Sequence, residues 1–451
     1  MSFMMAFGWA GIMILIGVFL RARIVFLRNM LVPASVIAGV VGILCMNVAD
    51  AAGIHTGTDI TMFTTIVNHL FTVSFISISL TRTPEDGGNR VGNTLRGAVG
   101  MGLVWCFLYA LTPLLSFGIV CILGQRVNMN GIYGMLIQFA FCQGPGQSAS
   151  YGLIFEQYGW EHAAMVAIAL SAIGFVAAFL VGIPAAKIGI KYGLAKNCRK
   201  IDDVILKGYY NEREQTGTKI KDTTCNSNIE TLAFHFAVIG LCYVLAVGIG
   251  NVLSLLPGFL GTSMSGMMFM NGMYAAYIVR FTMKKLKLDF LLENTLQNKI
   301  TGWTADYLVV CAFMSVSVRM ISAWLIPVLT VAVLMTVVTF IICFYFGQRF
   351  GGGNDFERTL GMYGMCTGTV PSGIALVRIV DPEFRTSTSV ELGACNLVMM
   401  ASTPVYILIL AYASGSLSLG FTLAGLALCA AVYLVLLKTC RLWGQKTFTW
   451  K

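Results

Sequence analysis

Charge is scarce in this chain. Of its 451 residues only 11% are Asp, Glu, Lys or Arg while 57% are hydrophobic, a balance that fits poorly with a water-facing surface. Histidine is scarcer still: His55, His69, His162 and His235 are far apart, and no H-x-x-x-H or H-E-x-x-H spacing occurs. Thirteen cysteines include no C-x-x-C pair, and most lie singly inside apolar runs. They read as packing residues, and a metal site or a haem is disfavoured. No nucleophile and base stand at a catalytic spacing, which argues against an enzyme. The first apolar run has no basic segment before it and ends at Arg21 without a small-residue cleavage pattern, so it is counted as a span rather than a signal peptide. Intramembrane acid is the last absence. The acidic residues nearest to apolar runs, Glu161, Asp306 and Glu391, fall close to predicted ends. A charge at a helix centre costs roughly 2.5–3.5 kcal/mol, so a buried carboxylate relay, and with it proton coupling through an Asp pair, is disfavoured.

What is present is apolar sequence in lengths that cross a hydrocarbon core. Spans are expected at about 3–20, 31–49, 63–80, 97–123, 163–186, 231–256, 260–280, 303–320, 322–347, 388–412 and 417–437. Broken segments at about 132–155 and 356–378 enter and leave on the same side. With that arrangement all of the thirty Lys and Arg except Arg126 and Arg319 gather on one side of the membrane. The net charge of +10 therefore marks a membrane face, not a nucleic-acid partner. By the positive-inside rule that face is cytoplasmic, with the N-terminus outside and the C-terminus inside.

The chain is also a duplication. Pro33 and Pro257 are 224 residues apart, as are Cys142 and Cys366 within the two broken segments. Phe75, Ser77 and Ser79 form an F-x-S-x-S run that Phe313, Ser315 and Ser317 repeat at a slightly longer offset, which loops absorb. Five spans precede the polar stretch 187–230, so the second five begin from the opposite side. The expected fold is an all-α integral membrane protein of two inverted repeats of five transmembrane helices, each with a re-entrant hairpin, plus one extra C-terminal helix. The boundaries are 1–186, a cytoplasmic linker 187–230, 231–412, and a final helix and tail 413–451. The four serines of the repeated run are read chiefly as close-packing residues.

Paired apolar segments broken by Gly and Pro in corresponding halves point to a transporter's midplane site. Gly144, Gly146, Gly364 and Gly368 permit close approach or a positive φ, and Pro145 and Pro371 break the helix. Each break frees N–H groups that suit a carboxylate and carbonyls that, with nearby hydroxyls, suit Na⁺. Substrate contacts are expected from Gly144, Gly146, Gln147, Ser148, Thr367, Gly368, Thr369 and Ser372, and cation contacts from Ser148, Thr367, Ser372 and Asn396. For Asn396, ion coordination and a hydrogen bond to a neighbouring helix stand equal; Arg319 reads as an interfacial arginine ahead of an anion partner. Against a symporter stand a proton-coupled or uncoupled carboxylate transporter, an anion channel and a membrane-embedded enzyme.

These residues resemble the glutamate:sodium symporters and, more distantly, the 2-hydroxycarboxylate transporters. The resemblance runs to about residue 412 and is carried by the Pro-led second span, the Gly144-x-Gly146 hairpin, the stretch Phe155, Glu156, Tyr158, Gly159, and the second hairpin with Gly364, Gly368, Pro371 and Ser372. It implies a homodimer in the cell's inner membrane, elevator-type movement of a domain carrying both hairpins, and sodium-driven import of an acidic amino acid, with Na⁺ as coupling ion and no other cofactor or metal. Pro145, Ser148, Met362 and Cys366 depart from the glutamate-type pattern, so the expected substrate class is a small organic anion, glutamate or a related amino- or hydroxy-dicarboxylate.

Overall fold

A computed structural model describes residues 2–29, 32–81, 91–195, 197, 221–225, 227–257, 259–381 and 385–449. Most of the expected linker, with Arg82 and Arg90, lies outside the described residues. Among those described, all regular structure is helical: α1 Ser2–Arg23, α2 Ala34–Ala51, α3 Ile60–Leu80, α4 Val91–Leu123, α5 Ile137–Phe141, α6 Pro145–Gln157, α7 Ala163–Lys191, α8 Thr231–Leu253, α9 Phe259–Gly266, α10 Met268–Lys285, α11 Asn294–Met314, α12 Leu325–Gly347, α13 Asp355–Thr367, α14 Val370–Val380, α15 Thr388–Met399, α16 Thr403–Ala413 and α17 Leu419–Thr439. Nine described helical stretches are long and apolar enough to cross a membrane. The expected spans 260–280 and 303–320 are not among the nine. Their helices α10 and α11 are long enough at 18 and 21 residues, but they carry Asn271, Arg280, Lys284 and Lys285, and Gln297, Lys299 and Asp306.

Three boundaries differ from expectation for local reasons. Helix α11 begins nine residues before the apolar window because the Glu293 carboxylate accepts from Leu296 N (2.5 Å) and caps it. That shift moves Asp306 from an end to the middle of the helix, where it is exposed. Expected span 260–280 breaks at Met267 between α9 and α10. Expected span 388–412 is two helices joined by a 3₁₀ turn, Met400–Ser402, before Pro404, whose ring cannot continue a helix from behind.

Packing repeats between the halves. α1 packs on α2 as α8 packs on α10; α2 packs on α11 as α10 packs on α3; α3 and α11 pack on each other, as do α4 and α12. Helix α17 has no counterpart and lies along α4. The main core runs through α4, α5, α6, α7, α13 and α14, and a smaller one joins α8 and α10 to the ends of α3 and α11 around Leu80, Cys242 and Ala276. The repeated serines are buried in this packing: Ser77 Oγ donates to Gln297 O (2.9 Å) and Ser315 Oγ to Ala312 O (2.8 Å).

Candidate functional site

Each broken segment is a pair of short helices folded back on itself. In the second, Gly361 lies against Val377, Gly364 against Gly373 and Gly368 against Ser372. Because one residue number rises as the other falls, α13 and α14 are antiparallel. The first folds likewise: Tyr133 Oη donates to Glu161 O (2.8 Å) at its open end, Phe139 stacks on Tyr151 at 4.0 Å midway, and Ser148 Oγ lies 3.2 Å from Phe139 O near the turn. At 13 and 11 residues, α13 and α14 reach about 20 Å and 17 Å, each too short alone for a core of roughly 30 Å. Their chain limits, Asp355 to Val380, compare with an expected 356–378.

The turns are built by glycine for two different reasons. Gly144 has φ +79°, ψ −171°, a conformation closed to residues with a Cβ, and it caps α6 with Pro145 at the first helical position. Gly368 has φ −140° and serves by being small: a Cβ there would come 2.7 Å from Ser372 Oγ. Gly146 sits against the Phe71 ring and Gly364 against the Gly373 backbone. Of the four glycines expected to need a positive φ or close approach, only Gly144 uses the first.

The two turns meet. A Cβ on Gly144 would overlap Thr369 Cγ2 and come 3.1 Å from Gly368 O, and Cys142 Sγ lies 4.0 Å from Cys366 O. Helix α7 packs beneath both, with Gly174 against Thr367 O and Phe141, and Tyr363 Oη donating to Ala177 O (3.0 Å). From the other flank Trp105 Nε1 donates to Cys142 O (2.8 Å) and Tyr109 Oη to Gln143 Oε1 (3.2 Å). Two helix N-termini, those of α6 and α14, thus open at one place. Pro145 and Pro371 have no N–H, Ser148 N donates to Gly144 O and Gly373 N to Thr369 O, so Gly146, Gln147, Val370 and Ser372 supply the N-terminal donors. The positive ends of two helix dipoles therefore open toward one point, where they favour negative charge.

Of the eight expected substrate contacts, Gly144, Gly368 and Thr369 touch across the two turns, Gly146, Ser148 and Thr367 lie beside them within their own segments, and Gln147 and Ser372 carry buried Oε1 and Oγ atoms with no partner among the described residues. Ser148 Oγ donates to Gly144 O (2.9 Å) and Thr367 Oγ1 to Tyr363 O (2.7 Å), which fixes both oxygens with lone pairs to spare. Asn396 is not brought to the turns by any described contact: it is exposed and donates to Gly393 O in its own helix (3.0 Å). Arg319 is exposed as well. Gln138 and Ser171, absent from the expected set, are fully buried with side-chain polar atoms that have no partner among the described residues. No sequence spacing marked them.

At the outer end of α13 lies a buried charge cluster. Arg358 pairs bidentately with Glu391 (2.7 and 2.6 Å) and with Asp355 (3.2 Å), and all three are essentially inaccessible. Ser387 Oγ donates to Glu391 (2.7 Å), and Thr447 Oγ1 to Asp355 (2.7 Å). Glu391 stands in the first turn of α15, at the helix N-terminus that its place near a predicted end suggested, but it is buried instead of interfacial. It sits in protein because Gly97 leaves room for it. Glu156, in the Phe-Glu-x-Tyr-Gly stretch, accepts from Ala164 N (3.1 Å) and caps α7, while Gly159 at φ +89° ends α6. That stretch joins the first folded pair to α7. Among the described residues no group of three or more His, Cys, Asp and Glu is placed to hold a metal.

The sequence profile of the family described as sodium/glutamate symporter matches residues 1–386, stopping short of the 412 to which the resemblance was read. The sodium/glutamate symporters of Escherichia coli (strain K12) and of Shigella flexneri are each 22% identical to the chain over 384 residues, covering 84% of it and 88% of the relative. No solved structure matches. On the extent of that profile match, the chain belongs to the sodium/glutamate symporter family, a family of membrane transporters and not of enzymes.

Proposed function

We propose that this protein is a sodium-coupled symporter that imports glutamate or a closely related amino- or hydroxy-dicarboxylate, bound between the tips of two re-entrant hairpins. The single observation that carries the proposal is the contact of Gly144 with Gly368 and Thr369, which brings the N-termini of α6 and α14 together. A substrate carboxylate is held by the N–H groups of Gly146, Gln147 and Ser372, with Gln147 adding its amide. Sodium is held by oxygens of Ser148, Thr367 and Ser372 with carbonyls freed where α5 and α13 end, so the cation needs no buried acid. Exposed Asn396 stands outside this set.

Two inverted repeats agree with the exchange of packing partners between halves, and with arms too short to cross the bilayer singly. Irregular backbone at that depth survives only where protein or a wet cavity satisfies it. Movement is of elevator type, in a homodimer of the inner membrane, with the N-terminus outside and the C-terminus in the cytoplasm. The body that moves comprises both hairpins with α7 and α15, tied by the Arg358–Glu391 pair.

The test is uptake of radiolabelled glutamate into proteoliposomes. An inward sodium gradient should drive accumulation above equilibrium. Accumulation that follows a proton gradient with sodium absent would replace the coupling ion, and flux that never exceeds equilibrium would replace the symporter with a channel.

A further inference from the structure

The two halves differ at one equivalent place. Helix α6, the second arm of the first broken segment, lies on α3: Gly146 meets the Phe71 ring and Ser150 Oγ donates to Asn68 Oδ1 (2.7 Å), so the two helices run antiparallel. On α6 the residues Gln147, Ser150, Tyr151 and Ile154 are all buried. Their counterparts 224 positions later on α14 are Pro371, Ile374, Ala375 and Arg378, of which the first and last are exposed and the other two half-buried. Among the described residues α14 packs on α7, α13 and α15 and has no comparable seat on α11, the counterpart of α3. Charge stands on both sides of that gap. Arg378 is the one basic residue of α14 and has no hydrogen-bond or ion-pair partner among the described residues. Asp306 is the one acidic residue of α11; it is exposed, is hydrogen-bonded by Ser35 of α2, and has no ion-pair partner among the described residues. It lies about 18 Å along α11 from Asn294, a depth at which a carboxylate needs water or a cation.

We infer that Arg378 and Asp306 form an ion pair in the opposite state of the protein, when α14 seats on α11 as α6 now seats on α3. Phe75 and Phe313 set the offset between α3 and α11 at 238 residues, which puts Asp306 at the position of Asn68, while Ile374 takes that of Ser150. Arg378 stands one turn beyond Ile374. Helical side chains lean toward the N-terminus of their own helix, and one turn rises about 5.4 Å, so an arginine there reaches back to the level at which Asp306 arrives. Repeat position and opposite charge both single out α11 as the surface that covers this face of α14. A charge-assisted bond is stronger than the neutral one between Ser150 and Asn68. Because it exists in one state only, the pair biases the equilibrium between the two. The inference rests on the elevator movement of inverted repeats proposed above, and adds to it the contact that holds one end state.

Disulfide trapping in the full chain in proteoliposomes, oxidised with copper phenanthroline and read by peptide mapping so that native cysteines are told apart, tests the pair. Val309→Cys with Val370→Cys occupies the positions of Phe71 and Gly146 and links when α14 reaches α11; Asn68→Cys with Ser150→Cys links in the state described here. Arg378→Met and, separately, Asp306→Asn should each slow the 309–370 link about tenfold and leave the 68–150 link as fast or faster. Arg378→Lys should keep most of the rate, and the exchange of Arg378→Asp with Asp306→Arg should restore it. A 309–370 link as fast in the two neutral variants as without them would overturn the ion pair and leave the elevator movement standing, as would a charge exchange that melts like the unaltered chain yet links as slowly as the neutral variants. A 68–150 link with no 309–370 link in any variant would remove the movement and the pair with it.

Discussion

Replacing Gly144 by Ala tests the meeting of the two turns. At φ +79°, ψ −171° an alanine is strained, which costs about 1–3 kcal/mol. Its Cβ also overlaps Thr369 Cγ2, an overpacking cost of about 1–3 kcal/mol. Together these predict a loss of about 2–6 kcal/mol. The two parts separate, because Thr369→Ser deletes the methyl that the new Cβ strikes and leaves the backbone strain untouched. Thr369→Ser alone costs about 0.8 kcal/mol for the lost methyl, whereas in the Gly144→Ala background it relieves the overlap. The double-mutant cycle should therefore close with a favourable coupling of about 1–3 kcal/mol. Unfolding titrations in mixed detergent micelles give the four free energies, and sodium-driven glutamate uptake should fall in the single alanine variant because the N–H groups of Gly146 and Gln147 turn with the strained residue. A cycle that closes to within about 0.5 kcal/mol, as for residues that do not touch, would refute the contact on which the site is built.

Breaking the buried pair by Arg358→Met or Glu391→Leu alone should cost about 3–5 kcal/mol, and the double variant should recover part of that, since it removes both charges of the pair and leaves only Asp355, which still accepts from Gly351 N (2.8 Å) and Thr447 Oγ1 (2.7 Å); the four melting curves decide it. Ser372→Ala removes a buried hydroxyl with no partner among the described residues, so it should leave the melting temperature nearly unchanged while weakening the sodium dependence of glutamate uptake tenfold or more, about 1.4 kcal/mol; an unchanged sodium titration would remove Ser372 from the site. Thr447→Val deletes the hydroxyl that donates to Asp355 (2.7 Å), with Gln348 O the other acceptor in reach (2.9 Å), which should destabilise the chain by about 1–3 kcal/mol in the same melting assay.

The places where helices break were legible in the sequence because glycine and proline act on their own backbone: Pro145 and Pro371 each stand in the first turn of a helix, inside the expected broken segments 132–155 and 356–378. Side-chain partners were legible far less well. Glu391 lies near a helix end in the sequence, and nothing local shows that Arg358, thirty-three residues earlier, folds onto it. Asp306 was misplaced because an apolar window misses the amphipathic first turns of α11, which are held by the Glu293 cap and by packing on α3. Asn396 was singled out for its polarity within an apolar run, yet its helix turns it outward.

By itself the sequence determined that the chain belongs in a bilayer, that its halves carry Pro and Cys motifs at one repeated offset, and where Gly and Pro interrupt its apolar runs. Hydropathy, repeat offset and backbone restriction are properties of residues and their near neighbours, and they survive without knowledge of the fold. Only the tertiary structure decided that Gly144 meets Thr369, that Arg358 is buried against Glu391, and which hydroxyls are already engaged. Those facts depend on groups up to 225 positions apart being brought within van der Waals or hydrogen-bond reach, and such distances are set by packing of whole helices rather than by any local run of residues.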